Sequence, residues 1–161
     1  MRPGAWFGAC VALVALLIAA CSSVSPAGPS PGFTGYDWQV VTISHDGTMT
    51  SIPARLEVAM QFSPDGHFSA NDSVNIRSGV YRATAAGFTV GGMGTTLVGY
   101  AGHDPTVLLA IKAIGSLNDG VHATARLTGV RLVVGVASYT LTCERLGRHS
   151  DPPAPAGTGG K

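Results

Sequence analysis

Phe62-Ser63-Pro64-Asp65-Gly66-His67-Phe68-Ser69-Ala70-Asn71-Asp72-Ser73-Val74-Asn75-Ile76-Arg77-Ser78-Gly79-Val80-Tyr81 decides how the chain folds. Upstream of it Leu56, Val58, Met60 and Phe62 alternate with Glu57, Ala59 and Gln61, which puts one apolar face on a strand spanning Ala54 to Phe62. Pro64-Asp65-Gly66 is a turn: proline presets φ, aspartate folds onto its own backbone, and glycine takes positive φ without strain. His67 to Ala70 returns as the partner strand. Asn71 to Asn75 is then dense in side chains that bond nearby backbone, and Gly79-Val80-Tyr81 resumes an extended pattern. Two strands joined by a turn and followed by a polar knot make this a β-sheet protein.

Outward from this stretch, Tyr36 to Ile43 is a β-prone strand closed by His45-Asp46-Gly47. Gly79 to Thr84 and Gly87 to Val90 read as a hairpin around Ala85-Ala86, and Gly91-Gly92-Met93-Gly94-Thr95-Thr96 breaks the pattern. Asp104-Pro105 opens the one helix, with Asp104 as N-cap and proline where its missing N–H costs nothing. That helix, Thr106 to Leu117 and ended by Asn118-Asp119-Gly120, carries a single charge, Lys112, so the sheet should cover most of it and leave Lys112 on the solvent side. Val121, Ala123, Ala125 and Leu127 alternate with polar residues, and Arg131 to Val136 and Tyr139 to Leu146 are the last two strands. The parity of Tyr139, Leu141 and Cys143 turns that thiol inward. The sum is an α+β fold: a mainly antiparallel, strongly curved sheet of about eight short strands with one main helix packed on it.

The N-terminus is read as an export signal over residues 1–20. Arg2 supplies positive charge, and Val11 to Ala20 is apolar but short of the about 20 residues a spanning helix needs. Leu17-Ile18-Ala19-Ala20-Cys21 resembles the lipobox of bacterial lipoproteins, which implies a diacylglycerol on the Cys21 thiol and cleavage just before it. The alternative is a plain secretory signal with an incidental cysteine. Acyl chains contribute about 0.8 kcal/mol per buried CH₂, enough to hold a domain at a membrane surface. Residues 21–35, rich in Pro, Ser and Gly, form the lipidated cysteine and a flexible tether reaching about 20 Å. Residues 36–146 form one domain and 147–161 a disordered tail. Cys10 leaves with the signal and Cys21 carries lipid, so Cys143 is the one thiol and no disulfide forms within the mature chain. The localisation that follows is the cell envelope, lipid-anchored on the extracytoplasmic side.

Of ten basic residues Arg2 is lost, leaving nine against nine acidic ones. The basic side chains are scattered singly, with no stripe to neutralise a nucleic-acid backbone. His45, His67, His103, His122 and His149 lack ligand spacing, so neither a metal nor a cofactor is expected. No Gly-x-Ser-x-Gly elbow positions a nucleophile, and the Gly91 to Thr96 run lacks the Gly-Lys-Ser/Thr of a phosphate loop. Asp65 and Asp72 could pair as carboxylates, although acids beside turns are more often turn formers. Asn71-Asp72-Ser73 is a glycosylation sequon that a bacterial lipoprotein would not use.

These residues together resemble the META domain of HslJ-like proteins over about Tyr36 to Leu146. The resemblance rests on Trp38 in the opening strand, on Phe62 to Gly66, and on Val74-Asn75-Ile76-Arg77-Ser78-Gly79-Val80-Tyr81, matching Cys-Asn-x-x-x-Gly-x-Tyr. Thr95 or Thr96, Leu108-Leu109 and Arg131 to Leu146 occupy the places of the family's later segments. Val74 replaces the family's cysteine, and Thr96-Leu97-Val98-Gly99-Tyr100 replaces its Thr-Met-Ala-Cys, so any role of those cysteines is absent. The resemblance implies an envelope or stress-associated domain without established catalysis.

The candidate structural or binding loop is therefore Asn71, Asp72, Asn75, Gly79 and Tyr81. Asn75, between apolar neighbours, should be buried and bonded, either as a structural residue or as a binding one. The leading expectation is a non-enzymatic, monomeric accessory lipoprotein whose partner is an envelope component. The alternative is a module that binds a small ligand, or acts as an inhibitor, on the concave face of the sheet.

Overall fold

The computed structural model describes residues 31–148. The signal peptide, Cys21 and most of the expected tether and tail lie outside these residues.

Nine strands and one helix follow in order: β1 (Tyr36–His45), β2 (Thr48–Ser51), β3 (Ala59–Phe62), β4 (His67–Asn71), β5 (Ile76–Thr84), β6 (Gly87–Thr95), α1 (Pro105–Gly115), β7 (His122–Thr128), β8 (Arg131–Val136) and β9 (Tyr139–Arg148). Every pairing is antiparallel. The sheet runs β1-β3-β4-β5-β6-β7-β8-β9 and returns to β1 through a β1–β9 pairing, so it is an eight-stranded closed barrel rather than a merely curved sheet. The fold is mainly β: the expected curved antiparallel sheet with a single helix is present, and the correction is that the sheet is closed. Bulges supply the curvature. The β1–β9 ladder slips between Asp37 and Trp38 and between Val40 and Thr42, and β5–β6 slips between Ser78 and Val80. Each extra residue bends its strand and increases local twist. The bulge in β1 also explains why the buried residues run Trp38, Val40 and then Ile43, a change of parity that alternation alone would not give.

The concave face is filled. Trp38, Phe62, Phe68 and Phe88 are fully buried together with Met60, Leu132, Val134, Leu141 and Cys143. Phe62 is the hub: its ring lies 4.9 Å from Phe33, 5.2 Å from Phe68, 5.3 Å from Tyr81 and 4.9 Å from Phe88, mostly edge to face. An eight-stranded barrel encloses a space that side chains of this size can fill.

Both ends are stoppered. At one end the segment before β1 folds inward: Phe33 is buried, its carbonyl accepts from Trp38 Nε1 at 2.8 Å, and Gly35 N donates to Phe62 O at 2.6 Å. Phe33, which lies in the stretch expected to be tether, is thus packed in the core. Arg145 lays its guanidinium 4.0 Å from the Tyr36 ring at the same end. At the other end sits α1, capped as expected by Asp104, whose Oδ1 accepts from Thr106 N at 2.8 Å. It buries Val107, Ala110, Ala113 and Ile114 and leaves Lys112 exposed.

Four further local expectations change. Ala54–Leu56 is a 3₁₀ turn, and Glu57 has φ of +52°, so β3 starts only at Ala59. The reason is topological: β2 and β3 share one edge of β1, with Thr42–His45 pairing β2 and Tyr36–Gln39 pairing β3, so the chain between them must leave the sheet. Gly91 to Thr95 continues β6 instead of breaking it, because Gly92, at φ of +62°, admits the bulge opposite Gly79. The last strand runs two residues past Leu146, to Arg148. The helix ends at Gly115, with Ser116 as its C-cap.

Cys143 faces inward as its parity requires, and burial pushes its thiol up to about 12. An unfolded thiol ionises near 9, so between pH 9 and about 12 only the unfolded chain releases this proton. Stability from this group is therefore complete below pH 9 and falls by about 1.4 kcal/mol per pH unit above it. Urea melts across this range should show that slope in the wild type and a shallower one in Cys143→Ala. The native thiol should also react with a maleimide only at the rate of unfolding. Rapid native labelling would place Cys143 outside the core.

Candidate functional site

The concave face, where a ligand was one expectation, is filled by core side chains, and a hollow lies on the outer wall. It is a cleft of about 490 Å³ across β1, β3 and β4. The alternation that turns Trp38, Met60, Phe62, Phe68 and Ala70 inward turns Asp37, Gln39, Ala59, Gln61, Ser69 and Asn71 outward. Register then aligns them in two rows across the strands. Asp37 stands opposite Gln61, and Gln61 opposite Ser69; Gln39 stands opposite Ala59, and Ala59 opposite Asn71. Ala59 is the small residue between two amides. The 3₁₀ turn and Glu57 wall one side, and the exposed apolar side chains of Ile76 and Leu146 stand at the margins. Gln39 Nε2 is buried and donates no hydrogen bond within the protein. The lining carries two carboxylates, Asp37 and Glu57, and no Lys, Arg or His among the described residues.

The five expected loop residues do not form one site. Asn71 lines the cleft. Asp72, not Asn75, is the buried residue of the knot, at 1% exposure. Its Oδ1 accepts from Val74 N at 2.9 Å and Asn75 N at 2.7 Å, while its backbone N donates to Asn75 O at 3.0 Å. Asn71 Oδ1 adds a bond from Ser73 N at 2.8 Å, holding Ser73 at φ of +80°. The carboxylate thus replaces the backbone pairing that the β4–β5 connection gives up. Asn75 is half-buried because Ile76 beside it points to solvent. Its amide imitates a peptide unit: Oδ1 accepts from Val98 N at 2.7 Å and Nδ2 donates to Val98 O at 3.2 Å, fastening the 96–98 segment to β5. Asp72 and Asn75 border a smaller hollow of about 230 Å³ with Arg77 and Thr96.

Gly79 and Tyr81 are not part of either hollow. A Cβ on Gly79 would stand 2.6 Å from Met93 Sδ and 2.7 Å from Gly91 O, so glycine is required by the β5–β6 bulge. Tyr81 is a core residue at the stoppered end; its hydroxyl donates to Ser63 O and meets Thr34 Oγ1, both at 3.0 Å. Burial raises its pKa above the ordinary tyrosine value; the Thr34 bond opposes that shift and the Asp65 charge adds to it. Asp65 and Asp72 belong to opposite ends of β4 and do not form a pair; Asp65 caps its own turn through His67 N at 3.1 Å. Among the described residues no three of His, Cys, Asp and Glu gather as a metal site, and no helix is long and apolar enough to cross a membrane. Cys21 lies outside the described residues.

Gln39, Gln61 and Ser69 were not singled out in the sequence, where they appear only as polar positions between core residues. The one available signal was Ala59, a small residue in a polar row.

No family model and no curated protein matches this chain. Two solved structures share its fold. An NMR structure of a protein from Burkholderia xenovorans superposes with a TM-score of 0.56 at 18% identity, over 72% of this chain and 85% of its own. A second NMR structure has a TM-score of 0.54 at 20% identity, over 68% of this chain and 88% of its own. At these identities the likeness concerns the fold alone.

Asp72→Ala strands two loop N–H groups and should cost about 1–3 kcal/mol. Asn75→Ala releases partly solvated groups and should cost about 0.5–1.5 kcal/mol. Urea melts of both variants check the order. An Asn75→Ala cost above that of Asp72→Ala would mean that the amide, not the carboxylate, organises the knot.

Proposed function

We propose that the chain is an exported lipoprotein, anchored through Cys21 at the extracytoplasmic side of the envelope membrane, whose barrel is a monomeric, non-enzymatic binding module. The observation that carries the reading is the outer-wall cleft. The barrel keeps its interior for packing and presents a row of amide, hydroxyl and carboxylate groups on a rigid outer surface. Such a surface suits reversible recognition by hydrogen bonds. The apolar run ending in Ala19-Ala20-Cys21 supports export and lipidation. The resemblance to META domains over residues 36–146 supports an envelope or stress-associated role, with an envelope component or a small ligand as partner and no cofactor.

Anchoring and folding should be separable, because Cys21 precedes the packed core in the chain. Cys21→Ala should move the protein from the detergent phase to the aqueous phase in phase partitioning, with an unchanged melting temperature. A variant that stays in the detergent phase would contradict lipid anchoring at this residue.

A further inference from the structure

The composition of the outer-wall cleft narrows what it can hold, and we propose that it takes a neutral, polyhydroxylated ligand, a short oligosaccharide laid across β1, β3 and β4. This rests on reading the cleft as the binding site. Adjacent strands lie about 4.8 Å apart, so the row Asp37, Gln61, Ser69 repeats polar groups at that interval across the wall, and in the row beside it Gln39 and Asn71 flank Ala59. Each amide offers a donor and an acceptor in one plane, and Ser69 offers both from one oxygen. Vicinal hydroxyls, which also donate and accept, are the complement of that arrangement. Gln39 Nε2 supplies a buried donor that no protein group uses. Ions are matched less well. The lining lacks any Lys, Arg or His to hold a phosphate or carboxylate, and one of its two carboxylates, Glu57, is exposed to solvent that would screen a cation. The C–H faces of a sugar ring would meet Ala59 on the floor and Ile76 at the margin, which is half exposed to solvent otherwise. The volume of about 490 Å³ falls within the range of small-molecule sites, about 300–1,000 Å³.

The full chain, solubilised in a sugar-free zwitterionic detergent, can be titrated with triacetylchitotriose, maltotriose, trilysine and inorganic phosphate, with binding read by saturation-transfer NMR. The two neutral saccharides are expected to bind and the two ions not to. Gln61→Ala should weaken saccharide binding about tenfold, the scale of one lost hydrogen bond. Ala59→Leu, which projects outward into the cleft floor, should abolish it, with both variants melting as the wild type does. If Ala59→Leu fails to fold, Ser69→Ala beside Gln61 replaces it. Binding of trilysine alone, lost in Ala59→Leu, would overturn the saccharide class and leave the cleft as the site. Saccharide binding that neither variant weakens would overturn the cleft itself. Silence of both saccharides up to their solubility would overturn the proposal.

Discussion

Closure of the sheet along the β1–β9 seam is the constraint on which the rest of the molecule depends. β1 pairs β9 along almost its whole length on one edge and divides its other edge between β2 and β3. An open sheet with this sequence would leave one edge of β9 unpaired and expose Trp38, Leu141 and Cys143 on an uncovered face. Joining the two edges satisfies the backbone groups and turns every inward side chain toward one axis. The seam is irregular as a result, with one extra residue in β1 at Val41 and one in β9 at Leu146.

Much follows from that division of β1. Because two strands cannot occupy the same edge positions, the chain between β2 and β3 is expelled into the 3₁₀ turn at Ala54–Leu56. Expelled, it overhangs the outer faces of β1 and β3 and walls the cleft. The closed interior has room only for side chains, and its aromatic cluster around Phe62 leaves none for a ligand. Stability and recognition are thereby placed on opposite faces of the same strands, inward residues serving one and outward residues the other. Truncating Phe62 would cost about 3–5 kcal/mol, a large part of a domain's net stability, whereas the outward residues can vary at little cost to the fold.

Local chemistry was legible where it acts locally. Pro64-Asp65-Gly66, the Asp104-Pro105 helix start and the inward parity of Cys143 appear in the sequence because neighbouring residues determine each of them. Closure was not legible, since the bulge between Val40 and Thr42 falls in a run where every residue favours a strand and none marks a register. Phe33 was read as tether because Pro31, Gly32 and Gly35 around it are loop formers; only the open end of the barrel gives its ring a place. Asn75 was expected to be buried on account of Val74 and Ile76, yet Ile76 starts β5 on its outward parity and leads Asn75 toward Val98 instead. The cleft is the least legible feature, since it depends on register between three strands, and register is a property of the sheet.

Native-state hydrogen exchange at the β1–β9 seam tests the account most directly. In a closed barrel the amides of Thr140 and Thr142, which face β1, should exchange only through global unfolding, with the same free energy as those of Gln61 and Ser69, which face each other in the β3–β4 pair. Seam amides that exchange through a smaller, local opening, while β3 and β4 stay protected, would show an open sheet and contradict closure.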